Sequence, residues 1–177
     1  MTVRFREAGN GDIAAVAGLH ADSWRRSYRG AYSDEFLDGD VDENRRTVWT
    51  ERLLVAQLDR STIVAERDGT LVGFVHTVFD HDPEWGSFVD NLHVTHELKR
   101  SGIGAQLMAE SARAVRARAT APSLYLWVLE PNTAAQAFYE ARGGIRAGRE
   151  DRVSPAGDLV VAFRYAWPDV APLLRLP

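Results

Sequence analysis

The stretch KRSGIGAQLM, residues 99–108, sets Lys99 and Arg100 ahead of two glycines, Gly102 and Gly104, at the entry of a helical pattern. Such an entry exposes backbone N–H groups at the positive end of a helix dipole, which suits a phosphate or pyrophosphate. Without Cβ atoms, Gly102 and Gly104 let an anion approach their backbone closely. The same glycines also serve a tight loop that holds nothing, and the ten residues alone leave both readings open. Two nucleotide motifs are excluded. A dinucleotide fingerprint needs a glycine where Leu107 stands, and no G-x-x-x-x-G-K-S/T loop occurs. His93 and His96 stand three apart without further converging ligands, so no metal site is expected. Asp34, Glu35, Asp38, Asp40, Asp42 and Glu43 form an acidic stretch with no cation inside it. It reads either as a rim for a cationic ligand or as helix-start acids and ordinary surface charge.

These residues belong to a chain of 177 residues that is 45% hydrophobic, enough for a core and for one domain over 1–177. A formal charge of −4 argues against a nucleic-acid or anionic-membrane binder. The absence of cysteine excludes disulfides, thiolate metal sites and a cysteine acyl intermediate, so acyl transfer would be direct. No apolar run approaches the roughly 20 residues of a membrane span, and the N-terminus has no signal-like apolar region, so a cytoplasmic protein is expected. The apolar tail PLLRLP can pack on the domain or on a second copy, which would give a homodimer.

The hydrophobic periods predict the elements that must position the glycine loop. Residues 3–7 alternate like a strand, and Asp12 precedes a helical face of Ile13, Val16, Leu19, Ser23 and Trp24. A second helical region is predicted from Ser33 to about Leu58, broken near Gly39. Residues 61–67, 70–79 and 86–94 read as an antiparallel three-stranded meander. A helix from Gly102 to about Ala119 follows, with Ile103, Leu107, Ala112 and Val115 on one side. Then come a strand at 123–129, a helix capped by Asn132 and ended at Gly143 and Gly144, and two strands at 145–153 and 159–167. The prediction is an α/β domain with one mixed central sheet of about seven strands and flanking helices.

With its elements in place, the loop resembles motif A of the GNAT acetyltransferases. That family's loop, Gln/Arg-x-x-Gly-x-Gly/Ala after a strand, binds the acetyl-CoA pyrophosphate. Here it reads Lys99, Arg100, Ser101, Gly102, Ile103, Gly104, with lysine in the first place. YLWVLEPNTAAQAFYEARGG resembles the second signature, in which Asn132, Ala135, Phe138, Tyr139 and Gly143 fill the expected places and the final Gly-Phe is Gly-Gly. The resemblance is strong over about residues 88–144. It implies splayed parallel strands at an acyl-CoA cleft, acetyl-CoA as donor, and a primary amine, of a small molecule or a protein, as acceptor. It also implies cofactor contacts from the backbone of Leu92, His93 and Val94, from residues 99–104 and from Asn132. Tyr139 would protonate the departing thiolate. Where some members carry a catalytic glutamate this chain has Phe88. Alternation would place Asp90 on the same face as Phe88, Leu92 and Val94, which makes it the replacement candidate for the base; the other reading is a carboxylate that orders neighbouring structure. Trp24, Tyr28 and Tyr32 fall where the family builds its acceptor pocket. The alternative function is a catalytically silent acyl-CoA-binding or sensing module.

Overall fold

The computed structural model describes residues 2–175. All seven strands join one sheet in the order β1-β2-β3-β4-β5-β7-β6. The strands are β1 (Val3–Glu7), β2 (Arg60–Arg67), β3 (Thr70–Asp82), β4 (Gly86–Val94), β5 (Leu124–Leu129), β6 (Ile145–Val153) and β7 (Leu159–Trp167). The helices are α1 (Ile13–Ser27), α2 (Asp34–Asp38), α3 (Val41–Leu53), α4 (Ile103–Arg118), α5 (Thr133–Glu140) and α6 (Ala171–Leu174). The order of elements is the predicted one, with the short helix α6 added after the last strand. The second helical region, however, ends at Leu53 instead of continuing to Leu58, and α5 stops at Glu140, short of the glycines. Leu54, Val55 and Leu58 are exposed, so they supply no apolar face to hold another turn.

Every neighbouring pair of strands is antiparallel except β4 and β5. On one face α4 packs Ile103, Leu107, Met108, Ala112 and Val115 into the main core with Val75, Val89, Leu126 and Tyr165. On the other, α1 and α3 bury Val16, Ala17, Trp49 and Leu53 against Val64 and Phe74. A third cluster joins Trp24, Tyr32, Leu37 and Val41 to Val160 of β7. Leu173 of the tail is buried in the main core; Leu176 and Pro177 lie outside the described residues. Among the described residues no helix is long and apolar enough to cross a membrane.

The inner layer under α1 and α3 carries histidines. His20 and His76 are fully buried. Trp49 Nε1 donates to His20 Nδ1 at 2.9 Å, so the His20 proton sits on Nε2. His76 Nδ1 meets Thr62 Oγ1 at 2.7 Å. Burial pushes the His76 imidazole down to about 3 and holds His20 well below its ordinary value, with nearby arginines adding to both shifts. His93 is pushed down to about 3 for the same first reason, aided by Lys99 and Arg45. A histidine kept neutral in the fold takes up a proton only on unfolding, between pH 6.5 and 3. The unfolded chain then binds more protons, and stability falls as pH falls through that window. Melting temperature should therefore drop from pH 7 to pH 5, before most carboxylates titrate, and His76→Gln should flatten the drop. A melting temperature constant over this interval would show that the histidines are not held neutral.

Candidate acyl-CoA cleft

β4 is where the sheet opens. Thr77 pairs with Val89 and His76 with Asn91, so Asp90 is an extra residue with no partner on β3. This bulge breaks the alternation predicted for Phe88, Asp90, Leu92 and Val94. Val89, Leu92 and Val94 all pack on the α4 side, whereas Phe88 stacks on Tyr125 with ring centroids 5.0 Å apart. Phe88 and Asp90 therefore do not share a regular strand face with Leu92 and Val94.

On its other edge β4 pairs with β5 only at Ser87–Leu124 and Phe88–Tyr125. Gly86 permits this start: it has φ +82, and a Cβ there would lie 2.1 Å from Ser123 Oγ. Beyond Phe88 the two strands separate. The gap is a cleft of about 760 Å³ whose walls include Leu92 and Val94 of β4, Leu126 and Val128 of β5, and Phe138 and Tyr139 of α5. Backbone groups of β4 that a paired strand would use thus face a cavity, the condition for adding an extended ligand by strand-like hydrogen bonding.

One end of the cleft is the glycine loop. Arg100 and Gly102 both have positive φ, +66° and +88°, and Gly102 is the residue before α4. The first bond recorded for the helix runs from Gln106 N–H to the Gly102 carbonyl, at 3.0 Å, so residues 103–105 have no intrahelical acceptor. Lys99, Arg100, Gly102 and Gly104 line the cleft. A side chain at Gly104 would touch Phe138 at 3.4 Å, so glycine lets α5 close over the helix start. Ser101 and Ile103 are not on the cleft wall. The Ser101 hydroxyl donates to the Leu98 carbonyl at 2.6 Å, and Ile103 is buried in the core. The Asn132 carboxamide oxygen accepts from Ala135 N–H at 3.2 Å, so this residue both caps α5 and borders the cleft.

At the other end stand Tyr28, Asp90, His93 and Tyr139. Tyr139 is buried among Phe138, Tyr165 and Trp167, with ring centroids 5.1, 6.3 and 6.0 Å away. Burial, and then the Tyr28 hydroxyl, raise its phenol above the ordinary value, so it stays protonated at neutral pH. Tyr28 is pushed up to about 12, by burial first and by Asp90 second. Arg52 Nη2 pairs with Asp90 Oδ2 at 2.5 Å, and its Nη1 donates to Asn91 Oδ1 at 2.8 Å. The His93 side chain turns to α1, where Nδ1 meets Ser23 Oγ at 2.7 Å. Trp24 and Tyr32 do not reach the cleft wall. They are buried behind Tyr28, whose ring lies 5.9 and 4.9 Å from theirs.

Two features change the charge expected here. Arg29 binds Asp34 at 2.9 Å and also pairs with Asp38, while Arg25 pairs with Asp42. Three of the six acids, Asp34, Asp38 and Asp42, are thus paired with arginines of α1 and of the turn after it, which no linear reading of 34–43 contains. Arg45 is 6% exposed on α3. Its signal was present: Val41, Arg45, Trp49 and Leu53 recur every four residues, placing an arginine on an apolar stripe. Trp127, Arg142 and Ser27 also line the cleft and were not among the predicted site residues.

An α/β sheet opened between two parallel strands, with a glycine-rich helix entry at one end and a buried tyrosine at the other, defines a CoA-dependent acyltransferase architecture. Residues 21–144 match the acetyltransferase (GNAT) family, and the chain belongs to it. It is 27% identical over 177 residues to the uncharacterized N-acetyltransferase YuaI of Bacillus subtilis, covering 98% of each chain. It is 30% identical over 145 residues to the probable N-acetyltransferase Rv2775 of Mycobacterium tuberculosis, covering 79% of this chain and 78% of the relative. Among solved structures it resembles yncA of Salmonella typhimurium, a putative acetyltransferase solved with its cofactor acetyl-CoA. That likeness has a TM-score of 0.67 at 16% identity and covers 94% of each chain.

The Arg52–Asp90 pair bears directly on the bulge. Removing only the cation, in Arg52→Met, should destabilise the fold by about 1–3 kcal/mol, because a half-buried carboxylate loses its partner. Adding Asp90→Asn should restore part of that loss. Urea unfolding of the two single variants and the double variant measures the coupling, and additive losses would mean that the pair does not hold the bulge.

Proposed function

We propose that the protein transfers the acetyl group of acetyl-CoA to a primary amine by direct attack. The observation that carries this reading is the separation of β4 from β5 beyond Phe88, with Gly102 at one end of the opening and Tyr139 at the other. In this reading the pyrophosphate sits on the N–H groups at the start of α4, with Lys99 and Arg100 adding charge. The pantetheine arm pairs with the free backbone of Leu92, His93 and Val94. Asn132, whose carboxamide oxygen holds the α5 cap, offers its NH₂ group to the same arm.

A lysine-type amine has a pKa of about 10.4 and must lose a proton before it attacks. Asp90, held by Arg52, is assigned to order the water that takes this proton. The neutral nitrogen adds to the thioester carbonyl, forming the C–N bond. The C–S bond then breaks, the thiolate takes the proton of the Tyr139 hydroxyl, and the second proton that the nitrogen sheds as it becomes an amide restores the Tyr139 phenol. Tyr139 supports that role because it lines the cleft and remains protonated, with no recorded hydrogen bond from its hydroxyl among the described residues. Tyr28, beside Tyr139, forms the acceptor side of the wall, with Trp24 and Tyr32 supporting it from behind.

Release of free CoA from acetyl-CoA across a panel of amines tests the reaction. Amine-dependent release is expected; tight acetyl-CoA binding with no release would indicate a binding or sensing module instead. With an acceptor in hand, Tyr139→Phe should bind acetyl-CoA normally and lose about 10²–10⁴-fold in kcat. Near-normal kcat at saturating acetyl-CoA, with a lowered melting temperature, would reduce Tyr139 to packing.

A further inference from the structure

A second cavity, of about 400 Å³, adjoins the cleft where α4 begins. Ala105 and Arg142 belong to the walls of both, so the two spaces meet one residue past Gly104. The rest of the wall comes from the end of α5 and from the tail: Ala141, Pro172 and Leu173 give apolar surface, and Arg175 gives a second cation. Gly143 has φ +81, and a Cβ there would lie 3.2 Å from Pro172 Cβ, so glycine lets α6 close this side. Leu173 anchors α6 in the main core. Among the described residues no acid lines this cavity.

Arg142 stands on the common wall without a counter-ion. Its guanidinium lies 3.7 Å from the centroid of the Phe138 ring, and that ring would lie 3.4 Å from a Cβ on Gly104. One ring therefore separates the guanidinium from the helix entry. Nη1 donates to the Phe138 carbonyl at 2.9 Å, and Nε is buried without a hydrogen-bond partner among the described residues. Burial pulls the Arg142 pKa down from its ordinary value. A cation desolvated in this way is stabilised by an anion that reaches the free end of its fork. No ion pair is recorded for Arg142 or Arg175 among the described residues. Position 142 is one of three that the second signature leaves unspecified between Tyr139 and Gly143, so the resemblance does not supply this arginine.

The chemistry of coenzyme A limits what can enter. Its pantetheine arm and its adenosine leave the pyrophosphate in opposite directions. The ribose joined to that pyrophosphate carries a 3′-phosphate monoester with a charge of roughly −1.5 to −2 at neutral pH. With the pyrophosphate on the first N–H groups of α4 and the arm running to Tyr139, the 3′-phosphate falls within one sugar of the helix entry. We propose that the second cavity receives the adenosine end of the donor, that Arg142 and Arg175 bind its 3′-phosphate, and that this pair selects CoA over 3′-dephospho-CoA. The proposal rests on the placement of the pyrophosphate at α4 given above. Arginine suits a phosphate monoester because two parallel N–H groups of its fork meet two oxygens. The apolar side chains beside the pair suit the face of a purine.

Calorimetric titration with CoA and with 3′-dephospho-CoA tests this, because the two ligands differ only by that phosphate. The wild type should bind CoA about 10-fold or more tightly, and the gap should narrow as salt is added. Arg142→Gln and Arg175→Gln should each bring the two affinities together by weakening CoA, with dephospho-CoA little changed. If Arg142→Gln melts too low for assay, Arg175→Gln carries the comparison, since Arg175 is exposed and follows the last helix. Equal affinities in the wild type, or a gap that survives in every folded variant, overturn the proposal. Gly104→Val separates that failure from a misplaced pyrophosphate, because it should weaken both ligands. If Gly104→Val leaves both affinities unchanged, the pyrophosphate site at α4 falls, and this proposal falls with it.

Discussion

A β-strand that gains one residue against a neighbour cannot keep both its alternation and its pairing. In β4 that residue is Asp90, and the rest of the site depends on it. Before the bulge, Ser87 and Phe88 hold the parallel strand β5; after it, no β5 residue pairs with β4. The change of face sends Leu92 and Val94 toward the α4 core and the His93 side chain toward Ser23 on α1. One local irregularity thereby supplies an open edge, an apolar wall and a polar wall. Loss of the ladder hydrogen bonds between the strands leaves polar backbone facing a cavity, which a ligand with amides can satisfy.

Charge around the opening differs between its parts. Lys99 and Arg100 border the helix entry, whereas Asp90 lines the cleft wall paired with Arg52, and Arg45 lies buried behind Trp24. The interior histidines beside that buried cation are neutral. His20 and His93 lie with ring centroids 4.5 Å apart near Arg45, and each is kept uncharged by burial and by that cation.

Most of the fold was legible from periodicity and turn residues. Strands at 86–94, 145–153 and 159–167 have their predicted bounds, and Asn132 caps α5 as its type and place suggested. The glycine loop was legible because Gly102 and Gly104 interrupt a pattern that is otherwise helical. The bulge was not. Nothing in GSFVDNLHV distinguishes an extra residue from regular alternation, since the register belongs to two strands and a single strand cannot display it. The pairing of Arg25 and Arg29 with the acidic stretch was hidden for a related reason, as it links α1 and the turn after it to α2 and α3 in space. Arg45 could have been found from its place between Val41 and Trp49, where an apolar residue fits the period.

A crystal structure of the protein with acetyl-CoA tests the central claim most directly. The account predicts the pantetheine arm lying between β4 and β5 beyond Phe88, hydrogen-bonded to the backbone of residues 92–94, with the pyrophosphate at Gly102–Gly104 and the thioester sulfur beside the Tyr139 hydroxyl. Acetyl-CoA bound elsewhere, or β4 and β5 zipped together past Asp90 with the cofactor excluded, would contradict it.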